Sequence, residues 1–118
     1  MLKLIAWLDR PAEKRAKDAV DIRYLIGNYS RIPQVLDSLY DDGFMEAQDW
    51  DEEKASAMKL GSDVRGIATP DSVNFLKQGL ISIPDHVENM AREMSGRGSF
   101  RNEENLSLLE ILLREVQQ

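Results

Sequence analysis

Apolar residues recur along most of this chain at the three-and-four spacing of helices, and no useful stretch alternates every second residue as a half-buried strand would. Leu2 to Asp9 is apolar nearly all round, which predicts a helix buried on most sides. Pro11 cannot donate to the preceding turn and breaks or restarts the helix. A second helix is predicted over Ala12 to Asn28, rich in good helix formers and stopped by Gly27 and Asn28. A third starts with Pro33 as its first residue, carries Val35, Leu36 and Leu39, and ends at Asp41-Asp42-Gly43. Phe44 to Asp49 reads as connecting chain. A fourth helix is predicted from Asp51 to Gly66, with acidic residues in the first turn where the helix dipole favours them; Gly61 weakens its middle. Thr69-Pro70 reads as a cap and a first helical residue, opening a fifth helix to Leu80. Pro84 opens a sixth, with Val87, Met90, Ala91 and Met94 at helical spacing. Ser95 to Arg101 holds two glycines and reads as a loop. Asn102 caps a last helix carrying Leu106, Leu109, Leu112, Leu113 and Val116. The pattern predicts an all-α fold: a single domain over 1–118, a compact bundle of about six to seven helices with no sheet of its own.

The bulk numbers narrow the classes. A chain of 118 residues suffices for one modest core. With 42% hydrophobic and 31% charged residues it is too apolar for a disordered chain. It has no cysteine, which excludes disulfides, thiolate metal sites and cysteine nucleophiles. That fits a reducing, cytoplasmic setting. No apolar run approaches the roughly 18 residues of a membrane span. Leu2 to Leu8 is followed at once by charge with no small-residue cleavage site, so no signal peptide is expected. The net charge of −6 argues against a nucleic-acid binder. The charge is uneven, however. Arg10, Lys14, Arg15, Lys17 and Arg23 lie early, whereas acids gather around Asp41, Asp42, Glu46, Asp49 and Asp51.

The early basic residues bring in candidate chemistry. Lys3 and Arg10 point almost the same way on a helix turning about 100° per residue, forming one basic stripe on an otherwise greasy segment. On the second helix Ala19, Ile22, Leu25, Ile26 and Tyr29 share a face. Asp18 projects from inside that apolar arc, and Asp21 lies on its flank one turn on. A carboxylate on an apolar face needs a cation, a donor or a metal. Lys3 and Arg10 are the cations in reach if the first two helices pack side by side. Two readings stay open: a structural ion pair that orients the helices, or a site where Asp and Lys face a phosphate and its magnesium.

The same residues carry a resemblance. Leu2-Lys3-Leu4-Ile5-Ala6-Trp7-Leu8-Asp9-Arg10, followed by Arg15-Ala16-Lys17-Asp18-Ala19-Val20-Asp21-Ile22, resembles the third and fourth motifs of the AbiEii/AbiGii-type nucleotidyltransferase family, within the polymerase-beta-like superfamily. Leu60-Gly61-Ser62-Asp63-Val64-Arg65-Gly66-Ile67-Ala68 resembles a later family stretch, with serine where arginine is commoner. The resemblance implies transfer of a nucleotidyl group from an NTP with Mg²⁺, in proteins of which several are toxins of toxin–antitoxin or phage-defence systems. It implies that Lys3 holds the triphosphate with Arg10 in a nucleotide-binding role, that Asp18 does acid–base or metal work, and that Asp21 supports. The family's first motif, a Gly-Ser followed by two strand-borne acids, has no counterpart here; Gly61-Ser62-Asp63 lies in helical context without a second acid two residues on. The chain thus resembles a C-terminal helical half whose N-terminal catalytic α/β half is missing, with no complete metal site of its own. Alone it is expected to be inactive and to hold neither Mg²⁺ nor NTP. The partners implied are that missing half and a cognate antitoxin, and an exposed apolar first or last helix would offer a surface for self-association. The rival reading is a stand-alone helical protein-interaction module in which the Lys/Arg–Asp cluster is only structural. It expects a closed core; the transferase reading expects Lys3, Arg10, Asp18 and Asp21 to converge in an open cleft.

Other residues carry less. His86, the single histidine, follows a helix start and reads as structural or surface. Phe44 and Trp50 flank an acidic stretch and are expected to pack under the domain. Met58, Met90 and Met94 read as core. The last helix reads as a core helix rather than a dimer contact.

Overall fold

Pro33, Pro70 and Pro84 each stand at the first position of a helix, where a missing backbone donor costs nothing. The computed structural model describes residues 12–81, 84–95 and 102–117. Among them it has seven α-helices: α1 (Ala12–Asn28), α2 (Pro33–Asp41), α3 (Phe44–Ala47), α4 (Glu52–Ile67), α5 (Pro70–Leu76), α6 (Pro84–Met94) and α7 (Asn102–Gln117). A 3₁₀ turn, Tyr29–Arg31, follows α1, and a π-type turn, Lys77–Ile81, follows α5. No strand occurs among the described residues. The predicted helix over Leu2 to Asp9 lies outside the described residues.

Two helix starts are fixed by side chains. Asp51 accepts from the Lys54 amide at 3.0 Å to cap α4, and Thr69 accepts from the Ser72 amide at 3.2 Å to cap α5. The fifth predicted helix ends earlier than its expected limit at Leu80, passing into the π-type turn after Leu76. Phe44 to Ala47 is one helical turn and not connecting chain. Gly43 precedes it at φ +83°, a left-handed conformation open to glycine without a side-chain clash.

The core is built mainly by α1, α4, α6 and α7. Ile26, Leu60, Leu76, Met90, Leu109 and Leu112 all belong to its buried cluster. α4 and α7 form the most extensive helix pair. Gly61 is the reason they approach so closely: a β-carbon there would stand 2.5 Å from the Leu112 carbonyl oxygen. A smaller cluster of Leu39, Met45 and Ala55, with Phe44 packed against it, joins α2 and α3 to α4. The radius of gyration is 13.5 Å, the value of about 13–14 Å that a folded chain of this length should have. α7 is a core helix, as its pattern predicts.

Candidate functional site

The core face of α1 is where sequence and structure meet most informatively. Ala19, Ile22 and Ile26 are buried as the periodicity requires. Leu25, predicted on the same face, is instead 43% exposed. The face is rotated, and two ionisable side chains occupy it: Asp18 at 0% exposure and Arg23 at 2%. Asp21, one turn from Asp18, is half-buried. Lys3 and Arg10 lie outside the described residues, so the proposed meeting of Lys3 and Arg10 with Asp18 and Asp21 is outside what the structure describes.

Arg23 was not singled out by sequence, yet it centres a polar network through the core. Its Nε donates to Asn105 Oδ1 on α7 at 2.9 Å, and its other end pairs with Glu53 on α4 at 2.6 Å. Asn105 is itself fully buried. Its amide nitrogen donates to the Ala91 carbonyl on α6 at 3.1 Å and to Ser95 Oγ at 3.0 Å. One asparagine therefore ties three helices, which satisfies polar atoms that burial would otherwise penalise. Its position was legible in part. Asn105 stands four residues before Leu109 on the stripe continued by Leu112 and Val116, so a polar residue interrupts a core row.

A second cluster surrounds the stretch from Leu60 to Ala68. The Tyr29 hydroxyl donates to one oxygen of Asp63, and Lys59 Nζ donates to the other at 2.7 Å. Lys59 also lies over the Phe44 ring, 5.8 Å from its centroid. Burial raises the Tyr29 phenol well above its ordinary range, and the hydrogen bond to Asp63 and that carboxylate's charge raise it further. The tyrosine is thus held as a neutral donor. Beside it Ser30 donates to Glu52 at 2.5 Å.

His86 Nδ1 donates to the Gly79 carbonyl at 2.9 Å, tying the π-type turn to the start of α6, which is a structural role. Met90 and Met94 are core residues, but Met58 is half-buried and its sulfur accepts from Gln48 at 3.3 Å. The two aromatics of the acidic stretch part company. Phe44 packs on the small cluster, while Trp50, expected beneath the domain, is 62% exposed. The reason is local: Asp49 and Trp50 adopt φ of +54° and +66°, turning the chain outward before α4.

Among the described residues no three carboxylates or histidines are grouped to hold a metal ion. Asp18 and Asp21 could supply two ligands at most, so Mg²⁺ would need further donors. A groove of 460 Å³ runs between α6 and α7 past Val87, Leu106, Glu110 and Arg114. Neither Asp18 nor Asp21 lines it. Among the described residues no helix is long and apolar enough to cross a membrane. Neither a family model, nor a curated protein, nor a solved structure matches this chain.

Proposed function

We propose that this chain is the helical half of a nucleotidyltransferase-like protein, contributing Lys3 and Asp18 to a site that a separate α/β half completes with its own metal-binding carboxylates. The observation that carries the reading is the placement of Asp18. Asp18 is a carboxylate at 0% exposure on a core face, where desolvation is costly, and it falls on the acidic position of the Lys-Asp-x-x-Asp-like motif. An all-helical fold is also what the resemblance implies for this half. In the assembled site Lys3 and Arg10 hold the triphosphate, Asp18 takes part in the transfer of the nucleotidyl group to an acceptor hydroxyl, and Asp21 orients. Mg²⁺ and its main ligands enter with the other half. An antitoxin as partner comes from the same resemblance, and a cytoplasmic setting from the cysteine-free composition.

The 118-residue chain alone is expected to incorporate no labelled NTP in the presence of Mg²⁺, and robust turnover would overturn that part of the reading. Co-expressed with an α/β half bearing the Gly-Ser strand motif, activity is expected to appear and to vanish in Lys3→Ala and Asp18→Ala. Indifference to both substitutions ends the reading.

One observation favours the rival, a helical interaction module with a structural ion-pair cluster. Asp18 has no solvent-facing surface, so a substrate reaches it only if what covers it moves. Circular dichroism and turnover of Asp18→Asn separate the two readings. Loss of fold with no effect on an assembled enzyme's chemistry supports the module; loss of chemistry in a folded protein supports the transferase.

A further inference from the structure

α2 has two apolar faces, and only one is covered. Val35 and Leu39 are buried against the small cluster. On another side Ile32, Leu36 and Tyr40 recur every fourth residue and stand 46%, 37% and 56% exposed. This second stripe continues onto Trp50, whose ring centroid lies 6.4 Å from that of Tyr40 at an interplanar angle of 32°. The amide of Trp50 donates to the Met45 carbonyl at 2.7 Å, fixing the turn that presents the indole. Two consecutive non-glycine residues at positive φ are unfavourable, and a bulky tryptophan more so than most. The fold therefore holds a large aromatic residue outward at some expense of backbone strain, although apolar burial would favour the opposite.

Charge states what could cover the stripe. Between Pro33 and Glu53 lie eight of the chain's 21 acidic residues and none of its 15 lysines and arginines. Asp37, Asp41, Asp49 and Asp51 on this segment are all exposed. A second copy would bring the same acids against these and be repelled, and an anionic membrane or nucleic acid is repelled equally. A basic segment gains twice. Its apolar side chains cover Ile32 and Leu36, while its lysines or arginines meet the acids and the faces of Tyr40 and Trp50.

We propose that the Ile32–Leu36–Tyr40–Trp50 face docks a basic amphipathic segment of a partner protein. This docking is independent of the nucleotidyltransferase reading, since it uses neither Lys3 nor Asp18.

The test uses the full chain and three synthetic amphipathic helical peptides sharing one leucine stripe, with lysine, glutamine or glutamate at the remaining positions. Binding is read by fluorescence anisotropy of labelled peptide. The lysine peptide is expected to bind at least tenfold more tightly than the glutamine peptide, and the glutamate peptide not to bind. Leu36→Ser/Tyr40→Ser is expected to weaken the lysine peptide at least tenfold while leaving the circular dichroism spectrum unchanged. Asp41→Asn/Asp49→Asn, which keeps the apolar stripe, should weaken it severalfold and flatten its salt dependence. Equal binding of the lysine peptide to Leu36→Ser/Tyr40→Ser would overturn the proposal, because attraction to acids anywhere on the surface would then suffice. Equal binding of all three peptides, binding of none, or concentration-dependent dimerisation of the chain through this face would overturn it as well.

Discussion

Gly61→Ala puts the α4–α7 contact to a quantitative test. The new β-carbon would meet the Leu112 carbonyl oxygen at 2.5 Å and Glu115 Cβ at 2.7 Å. Neither obstacle can swing aside, since one is backbone and the other is rooted to it. Non-bonded carbons sit best at about 3.5–4.0 Å, so the helices must part by about 1 Å; a gap of that size forfeits about a quarter to a half of the dispersion energy of each pair across it. Overpacking of this kind costs about 1–3 kcal/mol. Alanine opposes this by favouring the helix over glycine by about 1 kcal/mol. With a rigid obstacle the steric cost lies at the upper end, so the variant should be less stable by about 2 kcal/mol. Gly66, one turn further along α4, has nothing within 4 Å of its ideal β-carbon. Gly66→Ala therefore keeps only the favourable change and should gain about 0.4–1 kcal/mol. The two variants make the same chemical change in one helix with opposite signs. Urea unfolding followed by circular dichroism measures both, with the midpoint shifting at constant slope. An unchanged or raised midpoint for Gly61→Ala, or a lowered one for Gly66→Ala, would refute the reasoning.

The polar network offers a second contrast. Asn105→Ala should cost about 3 kcal/mol in urea unfolding, because it strands the Arg23 guanidinium Nε and the Ala91 carbonyl in the core. Glu53→Gln, at the half-exposed end of the same network, should cost less than about 1 kcal/mol. Tyr29 titrates late, so the unfolded chain loses its phenol proton first; the contribution is fully present below pH 10 and declines as pH rises above it. Tyr29→Phe should flatten that decline in stability measured between neutral pH and strong alkali, and should remove the latest component from a spectrophotometric phenol titration.

The helical class and most helix starts were legible because prolines, caps and a 3.6-residue period act locally. Thr69-Pro70 and the Met90-Ala91-Met94 stripe needed no tertiary information. What escaped depended on contacts distant in sequence. Gly61 reads as a weakness of its helix until Leu112, 51 residues on, is placed against it. Arg23 counts in the sequence only as one of the early basic residues, because nothing nearby shows that Asn105, 82 residues away, will receive it. Leu25 and Arg23 flank the core arc of α1 on opposite edges, and a modest rotation of the helix exposes the first and buries the second. Trp50 failed differently. Its composition argues for burial, and only the backbone of Asp49 and Trp50 directs it outward.

Asp18 and Arg23 pose the sharper problem for function. Both lie in the same buried face of α1; Asn105 and Glu53 receive the donors of Arg23, and α4, α6 and α7 are joined by the result. A helical scaffold already oriented by that network gains little extra specificity from a second buried ionisable group, and each such group costs desolvation. Asp18 is the buried ionisable residue of this face to which the proposed transferase reading gives a role. That reading carries a physical condition with it: the cover over Asp18 must be displaced when the other half docks. The exposed Ile32–Leu36–Tyr40–Trp50 face carries no such condition, since it is open in the chain as it stands. Recognition of a basic partner should consequently survive in the isolated protein, whereas any chemistry at Asp18 should appear only in the assembled one.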